Sequence, residues 1–586
     1  MVMPLRERQY YFRDYYDQGE ELILEGQQLR CKLSSKFSMT QKLGSPLAED
    51  GPVVIVEETE GGEPGQPANV TLELEYEATL KPDGYRLDIS KDGKITMAAS
   101  NKRGLRYGID ALHRLLGIED GKCRLPVAAI HDEPSFPVRG IIEGFYGTPW
   151  SFEDRKDAVQ YMAAHRMNTF MYAPKDDPYH RELWREPYPE DTFARIAELK
   201  QECDDHLVDF YYCISPGNDL QFRSSADFAS LENKLAAMIS IGVRHFALLM
   251  DDIDYELSGD NFHYLERSGL AHAYVANRVF TYLNSQLPEF TLAMCPSEYW
   301  SYWDTGYKRD IREQLHASIK VFWTGYSVFA PQIGSRHAQD NHRHYGHELW
   351  LWDNIPVNDA DYDRLFLDPV RGRYSQLGRT GHQAVVANPM VQWECSKITL
   401  NTMAHYMWNS ERYMPELSWE LSVREFAGAL EEEMMFFCRQ NLNSQLYSGG
   451  YEELKEAVQS KDIDRLDVYF KHLESIVSRL LQWDNSKFKA EAGPWLDRAL
   501  ADVELWRAVR RKVTGTGGGN GNGDGDGKES AEPGSSAELR RRAEACQAFK
   551  VRLGSDPAWR AAEAWGLAVR EGKSGYRLAL EAEDAG

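Results

Sequence analysis

The sequence predicts an α/β protein: a closed (β/α)8 TIM barrel with a small N-terminal α/β domain and a C-terminal helical region. Three observations predict it. Eight short apolar runs recur between residues 138 and 390, most separated by stretches of helical spacing, as in βα units built around a parallel sheet. With the helical stretch that follows the last run, the eight units take about 270 residues, which suits one closed barrel. A strand-rich segment precedes the first run, and after residue 411 the pattern is helical only.

Residues 1–135 form the predicted N-terminal domain. "YRLDISKDGKITMAAS" (85–100) reads as two alternating strands around Lys91-Asp92-Gly93-Lys94, a hairpin signal. "GLRYGIDALHRLLG" (104–117) has apolar residues at helical spacing and a terminal Gly, the mark of a helix and its stop. Residues 136–412 form the predicted barrel, its eight runs at 138–146, 167–174, 208–216, 243–252, 291–299, 319–325, 348–354 and 382–390. The sixth and seventh intervals read least cleanly as helix. Residues 413–586 are predicted to be a helical bundle, with long amphipathic stretches at 463–483 and 495–513. Residues 514–536, "TGTGGGNGNGDGDGKESAEPGSS", have almost nothing to bury and read as a flexible linker. Their single GDGDG is too little for a calcium-binding repeat.

Composition narrows the function. A net charge of −24 over 586 residues argues against a nucleic-acid partner, which needs basic surface. No run reaches the roughly 18 apolar residues of a membrane span. The first residues, "MVMPLRERQYYFRDYYDQGEELI", carry charges where a signal peptide has its apolar core, so a cytoplasmic location is expected. Eight scattered cysteines without a CxxC pair predict buried free thiols, with neither a disulfide framework nor a zinc site.

Chemistry in such a barrel sits at the C-terminal ends of the strands. There the runs finish in carboxylates, amides and rings: Gly144-Phe145-Tyr146, Lys175-Asp176-Asp177, Ser215, Asp251-Asp252, Glu298-Tyr299, Trp323-Thr324, Trp352-Asp353-Asn354 and Asn388. A cup of rings and hydrogen-bonding groups fits a polar ring-shaped ligand such as a sugar. Paired carboxylates then suggest glycoside cleavage, in which one carboxyl donates a proton and another stays ionised. Two charges ~4 Å apart repel by about 4 kcal/mol at an effective dielectric near 20, enough to raise one partner's pKa. Adjacent residues of a strand face opposite ways, so Asp251 and Asp252 share a site only where the strand ends. Three readings of "DDID" (251–254) stay open on these grounds: acid–base work, a divalent metal held by Asp251, Asp252 and Asp254, or structural charge.

"RGIIEGFYGTPWSFEDR" (139–155), "YAPKDDPYHRELWREPYP" (172–189), "ISPG" (214–217), "DDI" (251–253), "CPSEY" (295–299), "WTG" (323–325), "DNIPVND" (353–359) and "NPM" (388–390) resemble, in order, glycoside hydrolase family 84. That family of β-N-acetylglucosaminidases includes protein O-GlcNAcases and bacterial enzymes once called hyaluronidases. The resemblance is strong over 136–410 and looser in the N-terminal unit. It implies retaining exo-hydrolysis of terminal β-linked N-acetylglucosamine, with the substrate's 2-acetamido oxygen as nucleophile. It implies that Asp251 holds the acetamido N–H, that Asp252 is general acid then base, and that Tyr299 bonds the attacking acetamide. By the same resemblance Asn354 supports the site, Trp352 walls the acetamido pocket, Thr324 lines it, and Gly144, Lys175, Asp359 and Asn388 hold hydroxyls. No metal and no cofactor are expected. The partner is a GlcNAc-containing glycoconjugate or glycoprotein; aglycone and oligomeric state are left open. Asp353 departs from the family pattern and could perturb its neighbours. His180 and His245 read as structural, Glu143 and Glu298 as supports. Two other functions remain as alternatives: a catalytically silent GlcNAc-binding protein on this barrel, and a metal-dependent hydrolase using the DDxD motif.

Overall fold

Eight parallel strands close on themselves in chain order: β1 (Val138–Glu143), β2 (Thr169–Tyr172), β3 (Asp209–Ile214), β4 (His245–Leu249), β5 (Thr291–Cys295), β6 (Lys320–Trp323), β7 (Leu349–Asp353) and β8 (His382–Ala387). β8 returns to β1 in the register Ala384↔Val138 to Ala387↔Ile141. Each strand lies within one predicted run. The computed structural model describes residues 11–33, 53–57, 70–257, 259–442, 444, 446, 451–515, 533–554, 556–571 and 575–579.

Alternation sorts the side chains into two layers. Ile142, Ala247, Leu249, Ala293, Cys295, Phe322, Trp350, Trp352, Ala384 and Val386 fill the barrel interior. Ile141, Phe246, Leu248 and Val385 pack outward under the helices. Tyr211, Phe322, Trp350 and Trp352 meet edge to face at 5.7–5.8 Å and plug the barrel, so the cleft above has a floor. Parallel strands buried on both faces need continuous apolar runs, which is why these were legible.

Helices follow most strands. The β7–β8 connection is the exception, with a single 3-10 turn, Leu377–Arg379, and no α-helix. Its Leu365, Phe366 and Leu367 are instead buried in the core of the C-terminal helices, which takes the place of a covering helix.

The N-terminal sheet contains the expected hairpin, Tyr85–Ile89 against Lys94–Ala99, and the expected helix, Lys102–Leu115. Buried ion pairs dock it on the barrel's underside: Arg139 to Asp83 and Arg166 to Asp132, each 2.8 Å. Burial opposes the Asp83 charge, but Arg139 and Arg103 outweigh it and bring its pKa to about 2.

The C-terminal region is mainly helical, including Ile463–Gln482 and Ser486–Thr514. The second starts nine residues before the expected stretch and runs through Pro494. A two-stranded antiparallel ribbon, Ala568–Glu571 with Gly575–Leu578, corrects the purely helical expectation. Its strands are too short and too polar to announce themselves. Most of the expected linker (514–536) lies outside the described residues. Glu491 locks the bundle to the barrel by accepting both the Glu394 and Cys395 N–H groups at 3.0 Å, the free donors that open helix Trp393–Trp408.

Candidate active site

A cleft of about 290 Å³ opens at the C-terminal ends of the strands. Its walls include Gly144, Lys175, Asp251, Asp252, Tyr299, Thr324, Trp352, Asn354, Asp359 and Asn388, every residue that the family resemblance assigns to the site, together with Tyr146, Cys295, Val328, Phe329 and Ala360.

Strand parity explains most of this. Ala247 and Leu249 face the barrel interior, so Asp251, two residues on, continues that row. Gly144 after Ile142, Lys175 after Ala173, Thr324 after Phe322, Asn354 after Trp352 and Asn388 after Val386 follow the same rule. Asp252 has the wrong parity. Its backbone turns left-handed, φ +49°, a conformation Asp tolerates better than most residues, and this brings its carboxylate to the same cleft.

The two carboxylates have different company. Asp251 is buried, and its Oδ2 accepts from Lys175 Nζ at 2.5 Å. Its Oδ1 is also buried and has no N–H or O–H donor; the thiol of Cys295, a weak donor, lies beside the carboxylate. Burial opposes the Lys175 charge, but Asp251, Tyr146 and Asp252 outweigh burial and raise its pKa, so it stays an ammonium. Asp252 is exposed, and its carboxylate accepts from Tyr146 Oη at 3.0 Å and Tyr299 Oη at 2.9 Å. The neighbours thus differ in their surroundings, a cation against one and two phenols against the other. Burial, then the two aspartates, pushes the Tyr299 phenol far above its ordinary range and keeps it a donor. In this structure that donor serves Asp252.

Arg181 ties the assembly together, donating to Tyr146 Oη at 2.9 Å and to the Asp252 carbonyl at 2.7 Å. Tyr146 N–H donates to Asp359 at 3.0 Å. Burial, with Asp252 nearby, raises the Asp359 pKa. On the far wall Asn354 Oδ1 accepts from Trp352 Nε1 and Asn388 Nδ2, each at 3.0 Å, while its amide donates to the Val328 carbonyl at 2.9 Å. Gly144 lies so close to Trp352 that a Cβ there would fall 2.4 Å from the ring. Thr324 Oγ1 donates to the Ser327 carbonyl at 3.1 Å.

Asp353 does not reach the cleft. Its parity turns it outward, where it forms a buried two-point ion pair with Arg373, at 2.5 and 2.8 Å. The expected influence on the cleft is replaced by a structural one. Glu143 grips Arg155 at 2.7 and 2.8 Å. Glu298 accepts from Tyr255 and Thr305 at 2.9 and 2.6 Å. His180 Nδ1 bonds the Cys213 carbonyl at 2.9 Å, and burial lowers its pKa to about 3. Asp254 is exposed and outside the cleft lining. Among the described residues no group of three His, Cys, Asp or Glu is arranged to hold a metal.

Arg181 is a neighbour of the cleft that the sequence does not single out, and Tyr146 reads there only as the aromatic end of the first run, without a role. Both lie inside the quoted motifs, but only the fold shows that they converge on Asp252.

Residues 139–439 match the β-N-acetylglucosaminidase (NAGidase) domain family, and residues 26–133 match domain 2 of glycosyl hydrolase family 20. The chain is 34% identical to protein O-GlcNAcase of Rattus norvegicus over 271 residues, 45% of this chain and 29% of that protein. It is 33% identical to the Mus musculus protein over the same length, so it spans under a third of these curated relatives. Among solved structures, that of CpGH84B covers 96% of this chain and 100% of its own, with TM-score 0.77 and 25% identity. A mutant of the Thermobaculum terrenum O-GlcNAc hydrolase covers 74% of this chain and 95% of its own, with TM-score 0.67 and 28% identity. By the extent of the domain match and the shared architecture, the chain belongs to the β-N-acetylglucosaminidase family, glycoside hydrolase family 84.

Proposed function

We propose that this protein is a retaining exo-β-N-acetylglucosaminidase, O-GlcNAcase-like, whose nucleophile is the substrate's own acetamido oxygen. The observation that carries the reading is the half-satisfied Asp251: Lys175 holds one oxygen, and the other is buried with no N–H or O–H donor, only the weak Cys295 thiol lying beside the carboxylate. Buried acceptors are normally paired, and an acetamido N–H entering the cleft supplies the missing donor. The acetamide oxygen then attacks C1 and the glycosidic C–O bond breaks. Its electron pair leaves on the aglycone oxygen, which takes the proton of Asp252. Intramolecular attack gains from high effective molarity, and Asp251 disperses the positive charge growing on the acetamide nitrogen. In the second half, water attacks C1 while Asp252 accepts its proton. Two inversions give net retention. Asn354, Trp352 and Thr324 shape the acetamido end; Gly144, Asp359 and Asn388 receive hydroxyls. A cleft of about 290 Å³ has room for one N-acetylated hexose, which favours release of a terminal residue.

The substrate is a GlcNAc-bearing glycoconjugate or glycoprotein, and the reaction needs no metal or cofactor. Eight buried unpaired cysteines suit a reducing compartment, so the proposed location is cytoplasmic. No described helix is long and apolar enough to cross a membrane. The test is hydrolysis of an aryl β-GlcNAc in excess EDTA, with the first-formed anomer read by NMR. Turnover with the β-anomer first is the expected result. An α-product or loss on chelation refutes the mechanism; sugar binding without turnover makes the protein a silent binder.

A further inference from the structure

We infer that the lip of the cleft beyond β5 and β6 is a platform for a neutral saccharide aglycone, so that a second sugar ring lies across the scissile bond. The inference rests on the function proposed above and names its substrate class.

The lip begins at the chemistry. Tyr299, which donates to Asp252, is followed directly by Trp300, and Trp300 bridges to Gly325, the residue after Thr324. Trp300 is 41% exposed and Trp303 56% exposed, an unusual amount of indole to leave on a surface. A ladder of rings runs from Trp303 to the next loop. Trp303 stacks on Tyr302 at 4.8 Å, Tyr302 on His337 at 4.6 Å, and His337 leans on Tyr326 at 5.2 Å. The ladder therefore joins the loop after β5 to the loop after β6, whose Thr324, Val328 and Phe329 wall the cleft.

The segment is held rigidly. Ser301, between Trp300 and Tyr302, has φ +81°, a conformation a serine keeps only when its surroundings impose it. The buried Lys308 ammonium donates to the Ser301 carbonyl and hydroxyl at 3.3 and 3.1 Å, and to Asn341 Oδ1 at 2.8 Å. The Trp323 indole N–H adds a bond to the same carbonyl at 3.0 Å. Two buried side chains, one of them anchored in turn by Asn341, thus hold the residue that presents these rings.

Flat, fixed aromatic faces suit the C–H face of a pyranose ring. Strand addition, one way of holding an extended peptide, needs a sheet edge that the closed barrel does not offer. Charge decides among saccharides. The net charge is −24, and Asp254 and Glu256 stand exposed on the loop after β4, which disfavours uronate-bearing chains.

The experiment compares kcat/KM of the full chain, Trp300→Ala and Trp303→Ala on four substrates: β-GlcNAc fluoride, N,N′-diacetylchitobiose, an O-GlcNAc peptide and a hyaluronan-derived oligosaccharide ending in GlcNAc. Fluoride is too small to reach the lip and reports on the sugar site and on folding. The wild type is expected to prefer chitobiose to the peptide and the uronate chain. Each variant should lose about 3- to 10-fold on chitobiose, the scale of one ring-stacking contact, with the fluoride unchanged. A wild type that prefers the peptide or the uronate chain, or variants that lose equally on fluoride and chitobiose or on neither, overturns the platform while leaving the proposed hydrolase intact. Failure of the wild type on the fluoride overturns both.

Discussion

Replacing Asp252 by Asn separates proton transfer from everything else the cleft does. The carboxylate is held by two phenols, Tyr146 at 3.0 Å and Tyr299 at 2.9 Å. An amide of the same shape fits between them, because hydroxyl groups rotate to give or accept. What Asn cannot do is release a proton to a departing oxygen. General-acid assistance contributes typically about 10²–10⁴-fold, or ~2.7–5.4 kcal/mol of barrier. That loss should fall on a poor leaving group such as an alkyl or sugar alcohol, and nearly vanish for fluoride or dinitrophenolate. The measure is kcat/KM, which reports the first bond cleavage and excludes the second step. Asp251→Asn should behave differently. Its Oδ2 faces the Lys175 ammonium at 2.5 Å, and neutralising it removes the preorganised charge beside the acetamide nitrogen. A loss of about 10²–10³-fold is expected on every leaving group alike. A Brønsted plot of log kcat/KM against leaving-group pKa is the assay. It should be steep for Asp252→Asn and parallel to wild type for Asp251→Asn. Equal slopes in the two variants, or steepness in Asp251→Asn alone, would refute the division of roles.

Three other outcomes are expected. Asp353→Ala should cost about 3–5 kcal/mol in urea unfolding, because it removes the counter-ion of the buried Arg373 guanidinium, while folded protein keeps the wild-type leaving-group dependence; an altered dependence with unchanged stability would return Asp353 to the cleft. Gly144→Ala drives a methyl against the Trp352 ring, 2.4 Å away, so affinity for GlcNAc in calorimetry should fall by about tenfold, in line with overpacking of ~1–3 kcal/mol. Asp368 is buried and its pKa is pushed up to about 7 by that burial; the folded state therefore binds the proton more tightly than the unfolded chain, and stability should decline by up to about 4 kcal/mol as pH rises from about 4 to about 7, then level off. Asp368→Asn should flatten that slope, and an unchanged slope would mean that another group carries it.

Legibility followed burial. The eight barrel strands could be read because a strand covered on both faces must be apolar throughout, as in Phe246-Ala247-Leu248-Leu249. Acids placed directly after such a run then stand out, because they sit where a barrel does its chemistry. The same logic fails for the ribbon Ala568–Glu571, whose side chains are largely exposed, and for the connection to β8, where Leu365-Phe366-Leu367 is apolar without being a helix. Asp353 misleads for a further reason: adjacency to Asn354 suggests a shared site, but its partner Arg373 lies twenty residues away and on the barrel's outer side.

Local chain chemistry alone determined the barrel, the order of its strands and the residue types at their ends, because strand burial and alternation are properties of neighbouring residues. Only the tertiary structure decided which of those ends act together. Closing the barrel brings Lys175 from the end of β2 against Asp251 from the end of β4, and Asn388 after β8 against Asn354 after β7. The left-handed turn at Asp252 then sets the second acid beside the first. Contacts of that kind depend on shear, loop path and a backbone twist, which no short stretch of sequence encodes by itself.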